Sequence, residues 1–238
     1  MSGALVTGGS RGIGAATVRR FRESGRRVAF TYLAHEAEAR ALSEETGALA
    51  IRADAADPEQ ARRVAQRAEA EIGPIDALVI NAGIAQILPI QDISDADWRQ
   101  MIDTNLSGAF YAIRAALEWM LPRKRGSIAI VSSVWGVAGG SCESHYSAAK
   151  AGLIGLAKSL AKELAPSGIN VNCIAPGVVE TAMLDGLSPE EIAALRAEIP
   201  MDRFATPEEI ARILEFFVSK DAAYITGQVI VPSGGFGI

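Results

Sequence analysis

The stretch that decides the fold is Ala4-Leu5-Val6-Thr7-Gly8-Gly9-Ser10-Arg11-Gly12-Ile13-Gly14. Its first four residues form an apolar run, which predicts a short buried strand, and a helix is predicted from residue 15 to about 23. Glycines between a strand and a helix let the backbone turn tightly and approach a pyrophosphate, which the helix N-terminus attracts. This order favours a dinucleotide site over an ordinary turn between strand and helix. The candidate cofactor-binding residues in the loop are Gly8, Ser10, Arg11, Gly12, Ile13 and Gly14.

The second predicted strand, residues 28–32, indicates which dinucleotide is bound. In NAD sites, an acidic residue near the end of this strand binds the ribose 2′-hydroxyl. Here no carboxylate appears between Tyr32 and Glu36. The guanidinium of Arg11 is available to bind a 2′-phosphate; the alternative is that Arg11 is an exposed loop charge. The missing acid and the available arginine together favour NADP(H), with Tyr32 beside the ribose.

Strands and helices alternate through the rest of the chain. Further strands are predicted at 48–54, 77–80, 128–132, 169–174 and 228–231. Further helices are predicted at 37–45, 58–72, 146–164 and 189–198. One more begins at 94, another ends at about 120 after an interruption at 105, and the last begins at 206. The alternation predicts an α/β fold, a doubly wound (Rossmann) seven-stranded parallel sheet with helices on both faces. No linker is visible, so residues 1–238 are expected to form a single domain, with a substrate lid at about 183–199.

Residues 133–150 carry the candidate chemistry. Tyr146 and Lys150 lie four apart at the start of a predicted helix, so both side chains leave the same face. A phenol has a pKa of about 10, and a nearby ammonium favours the phenolate, which lowers that pKa. Ser133 follows the strand at 128–132, where its hydroxyl would point into the ligand crevice of an open α/β sheet. The pattern predicts that Tyr146 is a tuned proton donor; the alternative is a tyrosine that is simply packed.

Composition argues against several classes of partner. The 238 residues are 49% hydrophobic and 21% charged, which fits one α/β domain with a large core. A net charge of −5 without a broad basic patch argues against nucleic acids and anionic membranes, and we interpret the basic run 123–125 as a solvated loop. No apolar run approaches the ~20 residues of a membrane span, and no signal peptide is visible. Cys142 and Cys173 are too few for a disulfide framework or a zinc site, so we expect no metal and a cytoplasmic location.

The motifs, in their order along nearly the whole chain, resemble those of the short-chain dehydrogenase/reductase family. They are Thr7-Gly8-x-x-x-Gly12-x-Gly14, Asp54, Asn81-Ala82-Gly83, Asn105, Ser133, Tyr146-x-x-x-Lys150 and Pro176-Gly177-x-x-x-Thr181. Within the family, the stretches at 7–14, 146–152 and 224–228 resemble bacterial 3-oxoacyl-(acyl carrier protein) reductases. This resemblance implies a homotetramer that uses NADPH to reduce a ketone, carried by a small molecule or by a carrier protein. A 3-oxoacyl thioester is the expected substrate.

The resemblance also implies roles for single residues. Tyr146 would donate a proton to the carbonyl oxygen, and Lys150 would lower the pKa of Tyr146 and bind the nicotinamide ribose. Ser133 would hold the carbonyl oxygen, and Asn105 would anchor a water that relays protons through Lys150. Cofactor contacts would come from Tyr32, Asp54, Asn81, Ala82, Gly83, Tyr146, Lys150, Pro176, Gly177, Val179 and Thr181. A non-catalytic cofactor-binding protein of this fold would be expected to lack one of the four catalytic residues, and all four are present.

Two segments depart from the carrier-protein reductases. Some of those enzymes carry an arginine just before the position of Gly168 to meet the acidic carrier, and this chain has Ser167. The segment from Trp135 to Glu143 instead resembles elongation factor P 5-aminopentanone reductases, which reduce a ketone on a modified lysine of a translation factor. Trp135 and Glu143 are therefore candidate substrate residues, because a carboxylate in a desolvated crevice would favour a ketone that carries an ammonium group. The alternative is that Glu143 only caps the following helix.

Overall fold

The computed structural model describes residues 3–237, except for the side chain of Met183. Within these residues the strands are β1 (Gly3–Val6), β2 (Arg27–Tyr32), β3 (Leu49–Arg52), β4 (Ile75–Ile80), β5 (Gly126–Val131), β6 (Ile169–Ile174) and β7 (Val229–Ile230). They form one seven-stranded sheet in the order β3-β2-β1-β4-β5-β6-β7, and all neighbouring pairs are parallel. The predicted doubly wound α/β fold is confirmed.

Helices cover both faces of this sheet. They are α1 (Gly12–Glu23), α2 (Glu36–Thr46), α3 (Pro58–Ile72), α4 (Asp95–Ile102), α5 (Gly108–Arg123), α6 (Trp135–Ala138), α7 (Ser144–Leu164), α8 (Pro189–Ala197) and α9 (Pro207–Phe217). Among the described residues, no helix is both long and apolar enough to cross a lipid bilayer.

Strand residues point alternately into two apolar cores, one on each face of the sheet. Leu5 and Leu78 pack into a core with residues of α3, α5 and α7. Their neighbours Val6 and Val79 pack into the other core, with residues of α1 and α9. Because both faces are covered, the central strands are continuous apolar runs rather than alternating ones.

The chain reverses its direction of winding beside β1. Strands β1 to β3 run outward on one side, and β4 to β7 run outward on the other. In open α/β sheets, ligands bind at this switch point, at the carboxyl ends of the strands. The loops after β1, β4 and β5 all open there, and they contain the glycine-rich stretch, Asn81 and Ser133.

Several predicted boundaries were wrong. Helix α1 begins at Gly12 rather than at residue 15, because the Ala15 amide already donates to the Arg11 carbonyl at 3.1 Å. Helix α7 begins at Ser144, two residues before Tyr146, and the short helix α6 was not predicted. Strand β3 ends at Arg52 rather than at 54, because the Asp54 amide turns to the Gln60 side chain.

Residues of the segment 182–199 pack on one small apolar cluster near the candidate site. Leu184, Ile192 and Leu195 lie against buried Val134, Ile199, Phe204 and Phe236. Trp135 packs against the same cluster. The segment predicted as a lid is therefore continuous with the wall that contains Trp135.

Candidate active site

Glycine is required at position 8, in the loop between β1 and α1, and at position 14, in the first turn of α1. Gly8 has a φ of +65°, in the left-handed region, and a Cβ there would lie 2.7 Å from the Cα of Ala82. A Cβ on Gly14 would overlap the carbonyl oxygen of Gly8. The amide of the Asn81 side chain donates to the carbonyls of Thr7 at 3.2 Å and Gly8 at 2.8 Å. Asn81, a predicted cofactor contact, thus shapes the loop with its side chain rather than donating to a ligand.

The N-terminus of α1 fits an anion. Arg11 occupies the N-cap position, and within the described residues no side chain caps the helix there. Four other helices begin with a bonded side-chain cap: Asp57, Ser94, Ser188 and Thr206. Thr181 lies directly against the loop, since its methyl group would be 3.1 Å from a Cβ on Gly12. Free amide groups at the positive end of a helix dipole match the pyrophosphate of a dinucleotide.

The segment after β6 connects the region of Ser133 to the glycine loop. The Pro176 carbonyl accepts from the Val134 amide at 2.8 Å, and a Cβ on Gly177 would lie 2.8 Å from the Cα of Ser233. Val179 is buried and pairs with Ala205 in a short parallel bridge. The candidate cofactor residues Pro176, Gly177, Val179 and Thr181 therefore follow one edge of the crevice.

Asp54 and Tyr32 lie where the adenosine half of a dinucleotide would bind. Asp54 borders a pocket that is also lined by Thr31 and Ala82. Its carboxylate accepts from the Ala56 amide at 2.9 Å, whereas the following helix α3 is capped by Asp57. Asp54 therefore does not cap this helix. Tyr32 is half-buried at the end of β2 and packs against the core that contains α1.

The Ser133 side chain lies within hydrogen-bonding reach of the Tyr146 hydroxyl and acts to lower the pKa of Tyr146. Both residues are buried, and the Ser133 oxygen also accepts from the Trp135 amide at 3.2 Å. Burial raises the pKa of Tyr146 to about 12; the Ser133 hydrogen bond opposes this shift, and the Glu143 charge adds to it. Tyr146 consequently keeps its proton at neutral pH, next to a second hydroxyl that can hold the same ligand atom.

Lys150 lies beneath the ring of Tyr146 rather than beside its hydroxyl. Its ammonium donates to the Val131 carbonyl at 3.0 Å and lies 5.5 Å from the centre of the Tyr146 ring. Burial lowers the pKa of Lys150 to about 8, against an opposing effect of the buried Cys173 thiol. The prediction that Lys150 lowers the pKa of Tyr146 is wrong for this geometry, because the burial of Tyr146 dominates its pKa.

Asn105 is buried in a π-helical turn, Asp103–Ser107, that joins α4 to α5. The turn accounts for the predicted interruption of the helix at this residue. The Asn105 side chain accepts from the Ile84 amide at 2.8 Å and donates to the Ile84 carbonyl at 2.9 Å. It thus holds the loop after β4, in which a Cβ on Gly83 would lie 3.5 Å from the Lys150 amine. The Asn105 amide oxygen accepts one hydrogen bond here and keeps a second lone pair, so its predicted role as the anchor of a water stays a prediction.

Trp135 packs beside Tyr146, and its indole lies within hydrogen-bonding reach of the Glu143 carboxylate. Burial raises the pKa of the Glu143 carboxyl group, and the Trp135 indole opposes this shift. Glu143 stands at the N-cap of α7, but within the described residues its side chain makes no capping bond. The alternative that Glu143 only caps the helix is therefore wrong. The charge of Glu143 also raises the pKa of Tyr146, so the two side chains share one environment.

Two residues near the site were missed from the sequence. His145 is fully buried beside Tyr146 and lies 3.1 Å from the Gln86 side chain, which links α7 to the loop after β4. Phe236 packs edge-on against Trp135, with 5.3 Å between ring centres. Neither residue belongs to a local motif, since each contact joins positions far apart in the chain. No signal in the sequence could have identified them.

Comparisons with known proteins agree on one family. The family model described as enoyl-(acyl carrier protein) reductase matches residues 8–237. The 3-oxoacyl-(acyl-carrier-protein) reductase of Escherichia coli (strain K12) is 40% identical over 234 residues, covering 98% of this chain and 96% of the relative. The acetoacetyl-CoA reductase of Paracoccus denitrificans is 41% identical over 234 residues, covering 98% and 97%.

A solved structure shows the same architecture. It is a crystal structure of the 3-oxoacyl-(acyl-carrier protein) reductase from Brucella melitensis ATCC 23457, with a TM-score of 0.92 and 31% sequence identity. The match covers 100% of this chain and 91% of that one. Sequence and structure thus point to the same class of protein.

Proposed function

Because the chain belongs to the short-chain dehydrogenase/reductase family, we propose that it is an NADPH-dependent carbonyl reductase whose substrate is a 3-oxoacyl thioester. The observation that best supports this proposal is that Ser133 and Tyr146 are buried within hydrogen-bonding reach of each other, with the Lys150 ammonium beneath the Tyr146 ring. Two relatives are named for reduction of 3-oxoacyl or acetoacetyl groups, which supports the thioester. Homologous enzymes of this class act on C=O and CH–OH groups, and this chain is an oxidoreductase of the same kind.

The proposed mechanism assigns the proton to Tyr146. When bound, NADPH supplies the hydride. Tyr146 and Ser133 hold the substrate oxygen between their hydroxyl groups, and Tyr146 gives its proton to that oxygen as negative charge develops there. The Lys150 ammonium lies below the Tyr146 ring and stabilises this charge. Its remaining N–H groups can donate hydrogen bonds to a ribose hydroxyl of the cofactor. The segment at about 183–199 would act as the lid that excludes water.

An assay with purified protein tests this function. The substrate is acetoacetyl-CoA, and kcat/KM is measured with NADPH and with NADH. We expect a clear preference for NADPH, because no acid lies between Tyr32 and Glu36 and Arg11 is exposed. Tyr32→Asp should move the preference toward NADH. Equal efficiency with both cofactors would refute the NADP assignment, and a protein that binds NADPH but reduces no ketone would be the non-catalytic alternative.

The pH dependence of the reaction follows from Lys150. Its pKa of about 8 means that the ammonium is charged below this pH and neutral above it, whereas an ordinary lysine stays charged to higher pH. Tyr146 keeps its proton until about pH 12 and does not limit the reaction in this range. We expect kcat/KM for reduction to fall about tenfold per pH unit above pH 8. In Lys150→Arg the cation does not titrate, so the decline above pH 8 should disappear even if the overall rate is lower. An unchanged decline would exclude Lys150 as its cause.

A specific observation favours a second candidate substrate. Glu143 keeps a partly desolvated carboxylate at the crevice, within hydrogen-bonding reach of the Trp135 indole and close enough to Tyr146 to influence its pKa. Such a carboxylate suits a ketone with an ammonium group, as on the 5-aminopentanone-modified lysine of elongation factor P. Ser167, in place of the arginine of some carrier-protein reductases, removes one argument for an acidic carrier.

Glu143→Gln separates the two substrates. Glutamine keeps an oxygen that accepts from Trp135 but removes the charge, so the wall retains its shape. We expect the rate with 5-amino-2-pentanone to fall about 10–100-fold, the loss of one hydrogen bond to a charged group, and the rate with 2-pentanone to stay unchanged. The rate with acetoacetyl-CoA should stay level or rise. If all three rates change by the same factor, Glu143 does not recognise substrate charge and the thioester assignment stands.

We also infer a homotetramer, chiefly from family resemblance. Large apolar side chains are exposed on α4 and α5: Trp98, Phe110, Trp119 and Leu121. Exposed apolar patches of this kind mark contact surfaces between proteins. Light scattering at micromolar concentration should give four times the 25.0 kDa mass of one chain. A monomer under these conditions would contradict the inference.

The remaining expectations concern partners and location. The basic run 123–125 is engaged in ion pairs, with Arg123 bonded to Glu69 at 2.6 Å and Arg125 to Asp76 at 2.7 Å. These pairs and the net charge of −5 support a small-molecule or carrier-bound ketone as partner rather than a nucleic acid or membrane. Cys142 and Cys173 are both free thiols, which supports a cytoplasmic location.

A further inference from the structure

Arg52 is the last residue of β3, and it lies beside the end of β2. In the register of the two parallel strands, Tyr32 is paired with Arg52. Tyr32 and Ala50 both pack against the core that contains α1, while Ile51 points into the opposite core. By strand alternation, Arg52 leaves the sheet on the same side as Tyr32 and α1. This is the side covered by α1, whose N-cap residue is Arg11.

The guanidinium of Arg52 is fixed by one bond and is otherwise exposed. Its Nε donates to the Leu33 carbonyl at 3.2 Å, so the group lies against the loop that follows β2. Within residues 3–237, Arg52 forms no ion pair, in contrast to many exposed arginines of this chain. The two terminal nitrogens can therefore bind a ligand in the fixed fork geometry that matches phosphate oxygens.

The first acidic residues after Tyr32 are paired elsewhere, and Asp54, two residues after Arg52, accepts from the Ala56 amide at 2.9 Å. Glu36, in the first turn of α2, lies 3.8 Å from Arg40, and Glu38 lies 3.4 Å from His35. The glycine loop is tied to the end of β2, because the Gly9 amide donates to the Thr31 carbonyl at 2.8 Å. Arg11 follows two residues later and is exposed, so the glycine loop brings a second arginine toward this end of the sheet.

We infer that Arg52 is a second cationic ligand of the NADPH 2′-phosphate, opposite Arg11, and that it contributes to the choice of NADP over NAD. The inference rests on the proposed NADPH dependence. The ribose lies at the end of β2 in dinucleotide folds, and an arginine near that position accommodates the 2′-phosphate. Because its Nε is already hydrogen-bonded, the Arg52 guanidinium is oriented before the ligand binds, which reduces the entropy lost on binding. The alternative is that Arg52 only stabilises the loop after β2, through its hydrogen bond to the Leu33 carbonyl.

Binding of 2′,5′-ADP and 5′-AMP, measured by calorimetry, tests the inference without turnover. The two ligands differ by the 2′-phosphate. Arg52→Gln should weaken 2′,5′-ADP about tenfold, as expected for the loss of charge-assisted hydrogen bonds, and leave 5′-AMP within about twofold. Arg62→Gln is the matched control, since Arg62 is exposed on α3 and its loss removes the same charge. The control should leave both affinities unchanged.

The other outcomes distinguish a failure of this inference from a failure of the proposed function. Equal weakening of both ligands in Arg52→Gln would show that Arg52 only stabilises the loop and makes no phosphate contact, and no weakening would remove Arg52 from the site. If the unmodified protein binds both ligands equally, the NADP preference fails together with the inference. If it prefers 2′,5′-ADP but the preference survives in Arg52→Gln, only the inference fails. If the preference depends on Arg52 while no ketone is reduced, the inference stands and the catalytic proposal fails.

Discussion

Replacing Tyr146 by phenylalanine should lower kcat for ketone reduction by about 10²–10⁴-fold, while the Kd for NADPH stays nearly unchanged. Phenylalanine keeps the ring, which is buried against Met101 and Ala149, so the packing is preserved. What is lost is the hydroxyl that lies within hydrogen-bonding reach of Ser133 and carries the transferable proton. A steady-state assay with acetoacetyl-CoA gives kcat, and fluorescence titration gives the NADPH affinity.

Tyr111→Phe is the matched control for this variant. Tyr111 is partly exposed on α5, where its ring contacts Phe110 and Arg114 and its hydroxyl lies outside the site. The same chemical change there should leave kcat within about twofold, since only surface contacts change. A Tyr146→Phe variant that retains half of the normal rate would remove Tyr146 from the mechanism.

Replacing Gly14 by alanine should weaken NADPH binding by at least about 100-fold, which corresponds to losing two hydrogen bonds to a charged group. The added Cβ would overlap the Gly8 carbonyl oxygen and lie 2.7 Å from the Asn81 amide nitrogen. The Asn81–Gly8 bond must then break, and the loop must leave the position from which α1 faces the pyrophosphate. The free energy of unfolding should also fall, by about 3 kcal/mol, as for other overpacked positions.

Gly155→Ala is the matched control, because it makes the same glycine-to-alanine change away from the cofactor loop. Gly155 is an exposed position of α7, and among the described residues a Cβ placed there would meet no heavy atom within 4 Å apart from its chain neighbours and the nearby backbone of the same helix. Alanine in a helix is more favourable than glycine, so this variant should be as stable as the original or more so. NADPH binding should not change. Normal NADPH affinity in Gly14→Ala would show that the loop can move without cost, which would contradict the cradle described here.

The order of elements and much of the site could be predicted because their signals are local. A glycine run after a short strand, or a cap such as Asp57 before Pro58, depends on neighbours a few residues away. The period of apolar residues likewise identifies buried parallel strands. Boundaries were less predictable. Strand β3, for example, ends where Gln60 captures the Asp54 amide, six residues along the chain.

The electrostatic state of the site was beyond the reach of the sequence. The four-residue spacing places Tyr146 and Lys150 on one helical face, but it does not say how deeply they are buried. Burial raises the pKa of Tyr146 and lowers that of Lys150, so each neutral form is favoured. Spacing alone therefore predicted the wrong sign for the shift of Tyr146.

The sequence by itself determined the doubly wound sheet and the glycine loop, which follow from periodicity and short motifs. It also identified the candidate catalytic residues, through the spacing of Tyr146 and Lys150 and through the family resemblance that adds Asn105. Only the tertiary structure decided which distant residues meet. Arg52 reaches the end of β2 through strand register, Phe236 reaches Trp135 from the end of the chain, and Gln86 reaches His145 across two loops. These contacts depend on how the strands are ordered in the sheet and how the loops fold back over their carboxyl ends. Such positions are set by packing over the whole molecule, which no local pattern records.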